Sequence, residues 1–142
     1  MDINSCIEKG FLIKAEPDFQ LSDKEIKEAK YDLKSAEKAF EDEDYKWCIV
    51  KCYYSIFHSA KALLFRLGYI EKKHIAVVVV LEDLNKKGKL ESKYLNDYKA
   101  AFSLREDADY GYTYSKETAQ YDLEIAEEFS KRIGKLLKGV IR

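Results

Sequence analysis

Between Leu104 and Tyr114 the chain reads LREDADYGYTY, which sets one arginine among three carboxylates and three tyrosines. A guanidinium stays charged at any physiological pH, and its planar fork of donors matches a carboxylate or a phosphate. Two uses are open to Arg105: an internal ion pair that fixes helix packing, or a side chain held to bind phosphate. Tyr94, Tyr98, Ala101, Phe102 and Arg105 recur at helical spacing, so the arginine continues an apolar stripe. A charge in that position needs a partner, because an unpaired buried ion is costly. Asp109, four residues on, is the nearest carboxylate, and Asp107 is the reserve. From 105 to 109, one positive charge stands against the three negative charges of Glu106, Asp107 and Asp109, a local net of −2. That patch repels an RNA phosphodiester unless Arg105 is presented alone.

Other residue types offer less chemistry. His58 and His74 are the only histidines, and His74 follows Lys72 and Lys73 at the expected start of a helix. Lys73 and His74 there could attract a phosphate, helped by the helix N-terminus; the alternative is a solvated basic loop. Cys6, Cys48 and Cys52 are odd in number, and Cys48 and Cys52 stand four apart on a helix without histidines at ligand spacing. They read as free thiols in a reducing cytoplasm, so neither a metal nor a cofactor is expected. The eleven tyrosines could stack bases, but at helical spacing they more often line a core or an interface. The segment from Phe129 to Arg142 carries Lys131, Arg132, Lys135, Lys138 and Arg142 and no acid. Such a run complements a helix macrodipole, or forms an electrostatic footprint for an acidic partner or RNA.

The elements that must position these residues are helical. The chain has 142 residues, 46% hydrophobic and 36% charged, with one proline and six glycines, which leaves little material for the turns of an all-β fold. A formal net charge of −1 gives no global attraction to nucleic acid or to a membrane surface. The longest apolar run, IAVVVVL at 75–81, is too short to span a bilayer. No basic and apolar leader is visible at the start, so the expected location is the cytoplasm. Ser22 with Glu25 has the S-x-x-E spacing of a capping box and predicts a helix opening at Ser22. Further helices are expected over Tyr45–Leu67 with Gly68 as the stop, over about Ser92–Asp109, and over about Ser115–Gly139, whose apolar side runs from Ala119 to Val140. Residues 74–88 hold four consecutive valines, but His74, Val77, Val78, Leu81 and Leu84 share a helical face and no partner strand is evident, so helix is expected there too. A short helix at about Ile3–Ile13 precedes Pro17. The fold class is therefore all-α, an up-and-down antiparallel bundle of four long helices plus a short N-terminal helix, in a single domain over 1–142 with its core at about 22–138. The Tyr45–Leu67 helix is apolar on most of its circumference, which points to the centre of a core or to an oligomer interface.

DYKWCIVKCYYSIFHSAKALLFRLG (44–68) together with LREDADYGY (104–112) resembles the two signature helices of the HEPN domain family, in its small stand-alone prokaryotic branch. The resemblance implies a helical bundle that commonly dimerises. It also implies membership of a group that includes ribonuclease toxins, often paired with a small nucleotidyltransferase as antitoxin, and proteins known only as nucleotide-binding. In the ribonuclease branch an arginine is followed after four to six residues by a histidine and, two places later, by a tyrosine, and two copies form a composite site at the dimer interface. Arg105 matches the arginine and Tyr112 the tyrosine, whereas Tyr110 stands where the histidine would be. A phenol near pKa 10 is a poor proton acceptor at neutral pH, where a histidine near 6.5 is a good one. His58, in the Y-Y-x-x-F-H pattern, is the reserve general base, and otherwise a core or interface histidine.

Two function classes remain. The first is a non-enzymatic, toxin-like module that binds a nucleotide or a nucleotidyltransferase-type partner as a homodimer. The second is a metal-independent ribonuclease whose composite site draws on Arg105, Tyr110, Tyr112 or His58. The missing histidine and the local acidity favour the first. A ligand in that case would meet Arg105, Asp109, Lys73 and His74.

Overall fold

The computed structural model describes residues 1–139; Val140 and Arg142 of the sequence reading lie outside them. Six helices and one two-stranded ribbon follow in the order α1 (Ile3–Glu8), β1 (Leu12–Lys14), α2 (Phe19–Glu41), α3 (Tyr45–Leu67), β2 (Tyr69–Glu71), α4 (His74–Lys86), α5 (Ser92–Asp109) and α6 (Lys116–Gly139). The all-α expectation holds, with α2, α3, α5 and α6 as the four long helices.

Helix α3 is central. It packs against α2, α4, α5 and α6 and buries thirteen of its residues, from Cys48 to Leu64. Asp44 caps its start by accepting from the Trp47 N–H at 3.4 Å. Gly68 ends it in the left-handed conformation at φ 86°, where a Cβ would fall 2.5 Å from the Ala15 carbonyl oxygen. Only glycine fits, because the N-terminal segment crosses at this point and the Ala15 N–H donates to the Gly68 carbonyl at 2.8 Å. Buried small residues line the seam of α2 with α3, Ala29, Ala36 and Ala39 on one side and Ser55 and Ala62 on the other. Two buried hydroxyls cross that seam: Ser55 donates to the Ala29 carbonyl and Ser22 to the Ala62 carbonyl, each at 2.8 Å. Among the described residues Trp47 is the only large apolar side chain of α3 that is exposed.

The structure corrects three local expectations. Helix α2 begins at Phe19, capped by Asp18, whose carboxylate accepts from the Leu21 N–H. Ser22 lies inside that helix and Glu25 turns to α3, so the capping-box spacing serves tertiary contacts instead. The N-terminal helix stops at Glu8 because Gly10 takes φ 72°, and Leu12–Lys14 pairs antiparallel with Tyr69–Glu71 in the register Ile13 to Ile70. A partner strand for this ribbon went unseen because three-residue strands carry no usable periodicity. The four valines of α4 are helical as expected, since burial of Val77, Val79 and Val80 overrides their strand propensity. At the start of α6, Ser115 and Thr118 exchange hydroxyl-to-backbone bonds at 3.0 and 3.1 Å, a reciprocal cap.

All three cysteines are free and buried. The contact of Cys52 with Cys48 and its burial push the Cys52 thiol up, and the nearby Asp122 adds to this. Asp122 itself, on α6, is fully buried, and neither of its carboxylate oxygens finds a hydrogen-bond partner among the described residues. Burial pushes its pKa up to about 8, so the folded protein keeps it protonated through neutral pH.

A group that holds its proton more tightly when folded loses stability as pH rises from its unfolded pKa toward its folded one, at up to about 1.4 kcal/mol per pH unit. Asp122→Asn should remove that slope between pH 5 and 8 and should gain most over wild type at pH 8. Urea denaturation at several pH values checks this. Equal pH slopes in the two proteins would mean that Asp122 reaches a partner.

Candidate functional site

Arg105 sits in the last turn of α5, with 15% of its side chain exposed. Its Nε lies 3.4 Å from Asp109 Oδ2, the expected i, i+4 ion pair, although the geometry there does not make a hydrogen bond. Its Nη2 donates to the Tyr54 hydroxyl at 3.3 Å. The guanidinium carbon stands 5.4, 5.5 and 5.8 Å from the ring centroids of Tyr53, Tyr54 and Tyr110. Three aromatic faces and one carboxylate thus surround the charge. Such cation–π contacts contribute roughly 0.5–2 kcal/mol each, depending on desolvation. Asp107, the reserve partner, makes no ion pair among the described residues; its backbone carbonyl accepts from the Thr113 N–H at 2.9 Å and folds the chain back after α5.

Tyr110 caps α5 and joins Arg105, with 67% of the residue exposed. Tyr112 does not join them. It adopts φ 54°, is 78% exposed, and its ring approaches the Lys46 ammonium at 6.0 Å, near the start of α3.

Tyr53 is the wall that links Arg105 to a neighbouring groove. Arg105 lies over its ring, and its hydroxyl is 3.0 Å from His74 Nδ1. Burial pushes the Tyr53 phenol up, which keeps its proton in place for that contact. Tyr53, His74, Ile75, Val78, Tyr98 and Phe102 line an open apolar groove of about 270 Å³ between α3, α4 and α5. His74 stacks on Phe57 with centroids 4.8 Å apart. Lys73 diverges from it and lies over the Phe11 ring at 5.3 Å. Lys73 and His74 therefore do not converge on one point, and only His74 neighbours the arginine site.

His58 belongs to a different set. Its Nδ1 is 2.5 Å from Glu25 Oε2, its Nε2 is 3.6 Å from Asp32 Oδ2, and Lys61 bridges Glu25 and Glu71 at 3.5 and 3.2 Å. The hydrogen bond to Glu25 raises the His58 pKa against its burial, and both carboxylate charges help. Burial would raise Glu25, but the His58 hydrogen bond and the Lys61 charge outweigh it and hold Glu25 low. Burial raises Asp32 despite the His58 charge. With both ring nitrogens facing α2 carboxylates, His58 is an ion-pair member and not a base turned toward Arg105. Among the described residues no three His, Cys, Asp or Glu side chains cluster as a metal site. No described helix is long and apolar enough to cross a membrane.

Sequence reasoning missed Tyr53 and Tyr54 as partners of Arg105 and missed Glu25 and Asp32 as partners of His58. The adjacent tyrosine pair in the Y-Y-x-x-F-H pattern was the available signal, since an arginine on an apolar stripe needs polarisable neighbours.

The HEPN domain family model matches residues 23–137, and the chain belongs to that family. A protein of Methanocaldococcus jannaschii named "Putative toxin" is 35% identical over 82% of this chain and 88% of its own length. A second protein of that organism with the same name is 30% identical over 81% of this chain and 80% of its own length. An Archaeoglobus fulgidus relative named "UPF0332 protein" is 32% identical over 75% of this chain and 87% of its own length.

The two charged groups separate in stability measurements. A histidine whose folded pKa is raised adds stability that is full below its unfolded pKa, near 6.5, and is lost as pH rises through the folded value. Thermal melts of His58→Gln should therefore lose this extra stability at pH 6 and close on wild type at pH 9. Arg105→Ala should cost about 1–3 kcal/mol, between the exposed and buried limits for a charge of this burial. If Arg105→Ala left stability unchanged, the aromatic box would not hold the guanidinium in solution.

Proposed function

We propose that this HEPN-family chain is a toxin-like module that works as a homodimer, with Arg105 presenting its remaining open edge to a nucleotide or nucleic-acid phosphate, and that it lacks ribonuclease chemistry of its own. The observation that carries the reading is the pairing at the end of α5: Arg105 keeps its motif place, while the ring of Tyr110 occupies the histidine's place and packs against the guanidinium. The one histidine of the signature helix, His58, is held between Glu25 and Asp32. Neither Tyr110 nor His58 offers Arg105 the imidazole acceptor that the resembled ribonuclease motif uses for general acid–base cleavage.

The dimer is supported by the apolar groove and its rim. Ile75 is 46% and Phe102 37% exposed on the same face as Arg105, while α3 is covered by its own neighbours. A second copy docked through α5 and the start of α4 would cover this surface and bring two Arg105 side chains to one cleft. A nucleotidyltransferase-type protein is the proposed partner, on the strength of the family resemblance and of the toxin names borne by two relatives.

Purified wild type should scatter light as a dimer at tens of micromolar, and Phe102→Glu should return it to the monomer. It should cleave no RNA in EDTA. Tyr110→His restores a proton acceptor at the motif spacing, and any cleavage gained has a ceiling of about 10²–10⁴-fold. Robust wild-type cleavage that Arg105→Ala abolishes would replace the binding module with the ribonuclease.

A further inference from the structure

A second groove lies between α2 and the C-terminal half of α6, lined by residues unrelated to Arg105. Its volume is about 470 Å³, and Lys30, Arg66, Lys131, Lys135 and Lys138 stand around it with Asp23. Five cations face one carboxylate, a net of four positive charges on a chain whose overall charge is −1. Lys30, Lys131, Lys135 and Lys138 are all exposed, and none of them enters an ion pair among the described residues.

One rim of the groove is fixed. Arg66 donates to the Leu137 carbonyl at 2.8 Å, to Ser22 Oγ at 3.2 Å and to Asp23 Oδ1 at 3.0 Å. That single side chain ties α2, α3 and α6 together, and the sole acid of the groove is already committed to it. The free charge of the groove is therefore lysine alone.

Gly134 is the second, independent observation. It stands in the interior of α6, where glycine costs about 1 kcal/mol against alanine. A Cβ built there meets nothing within 4 Å, so no packing contact of the fold requires the missing side chain. Glycine in such a place leaves bare backbone beside the groove, which suits close approach of a ligand.

Lys131, Lys135 and Lys138 run along one side of α6 over about 10 Å, at a rise of 1.5 Å per residue, with Lys30 on the facing helix. A row of this length matches an anion of repeating charge better than a single phosphate. The complement of the helix macrodipole accounts for Lys138 and Lys135, since that field fades within the last turn, but not for Lys131 or Lys30. No aromatic side chain is among the described residues that line the groove; Phe19, beside its rim, already has Arg66 over its ring at 5.0 Å, so the groove itself offers bases no stacking platform. We infer that this groove binds a linear phosphate polyanion through its charge and not through any base. Inorganic polyphosphate and a single-stranded RNA backbone are the two sources of that chemistry.

The test titrates fluorescent inorganic polyphosphate and single-stranded polyuridylate and polyadenylate, in separate arms, against the full chain by anisotropy. Polyuridylate and polyadenylate should bind alike, and a preference for polyphosphate over both would identify the source. Lys131→Gln with Lys135→Gln should weaken binding about tenfold and reduce the slope of log K against log salt by about 1.4, the loss of two phosphate contacts to a single strand. Gly134→Leu, with its fold checked by circular dichroism and thermal melting, should fill the groove and weaken binding similarly. The inference is overturned if no arm binds more tightly than roughly 100 µM at physiological salt, the weak end of nonspecific binding. It is equally overturned if the lysine pair or Gly134→Leu leaves affinity unchanged, or if polyglutamate of equal charge binds as tightly.

Discussion

Helix α3 must be kept out of water over nearly its whole length, and the other elements are arranged to do so. Burying one large aliphatic or aromatic side chain is worth roughly 1.5–3 kcal/mol, and α3 carries Tyr53, Ile49, Ile56, Leu63 and Leu64 among its fully buried residues. One neighbour cannot cover a helix that is apolar on most sides. Helix α2 comes close through its alanines, α6 lays Phe129 and Ile133 into the core, and α4 and α5 close the remaining side. The N-terminal segment completes the cover with Cys6 and Leu12 and is pinned where it crosses Gly68. Once α3 is fixed, its polar residues are distributed by what they face. His58 and Lys61 meet the carboxylates of α2 and β2, whereas Tyr53 and Tyr54 meet α5 and receive Arg105.

Much of this fold was legible in the sequence wherever a local rule decided the outcome. The end of α3 follows from Gly68 and the helix at 74–86 from its periodicity. What escaped was set by distant partners. Ser22 and Glu25 have the spacing of a cap, but their partners are 40 and 33 residues away, on α3. The ribbon joining Leu12–Lys14 to Tyr69–Glu71 is too short to show an alternating pattern. Asp122 sits among Ala119, Ile125 and Ala126 on a strongly apolar stripe, and its position there was the only hint of a carboxylate without a partner.

The arginine site divides the same way. The Arg105–Asp109 pair is an i, i+4 relation within one helix and could be read directly. The aromatic box could not, because the Tyr54 partner stands 51 residues earlier in the chain. The box matters for chemistry. A guanidinium faced by three rings keeps its charge, and here, among the described residues, Nη2 alone makes a hydrogen bond, to the Tyr54 hydroxyl. Tyr110, at the end of the same helix, contributes to that enclosure.

The burial of Cys6, Cys48 and Cys52 has a practical consequence for spectroscopy. All three sulfurs are shielded from solvent, and the Cys52 thiol resists ionisation, so maleimide reagents find no ready target in the native protein. A single cysteine placed on an exposed position of α5 would react alone, without first stripping the chain of its own thiols. A spin label or fluorophore placed there could then report whether two copies of the chain associate, in an otherwise unaltered molecule.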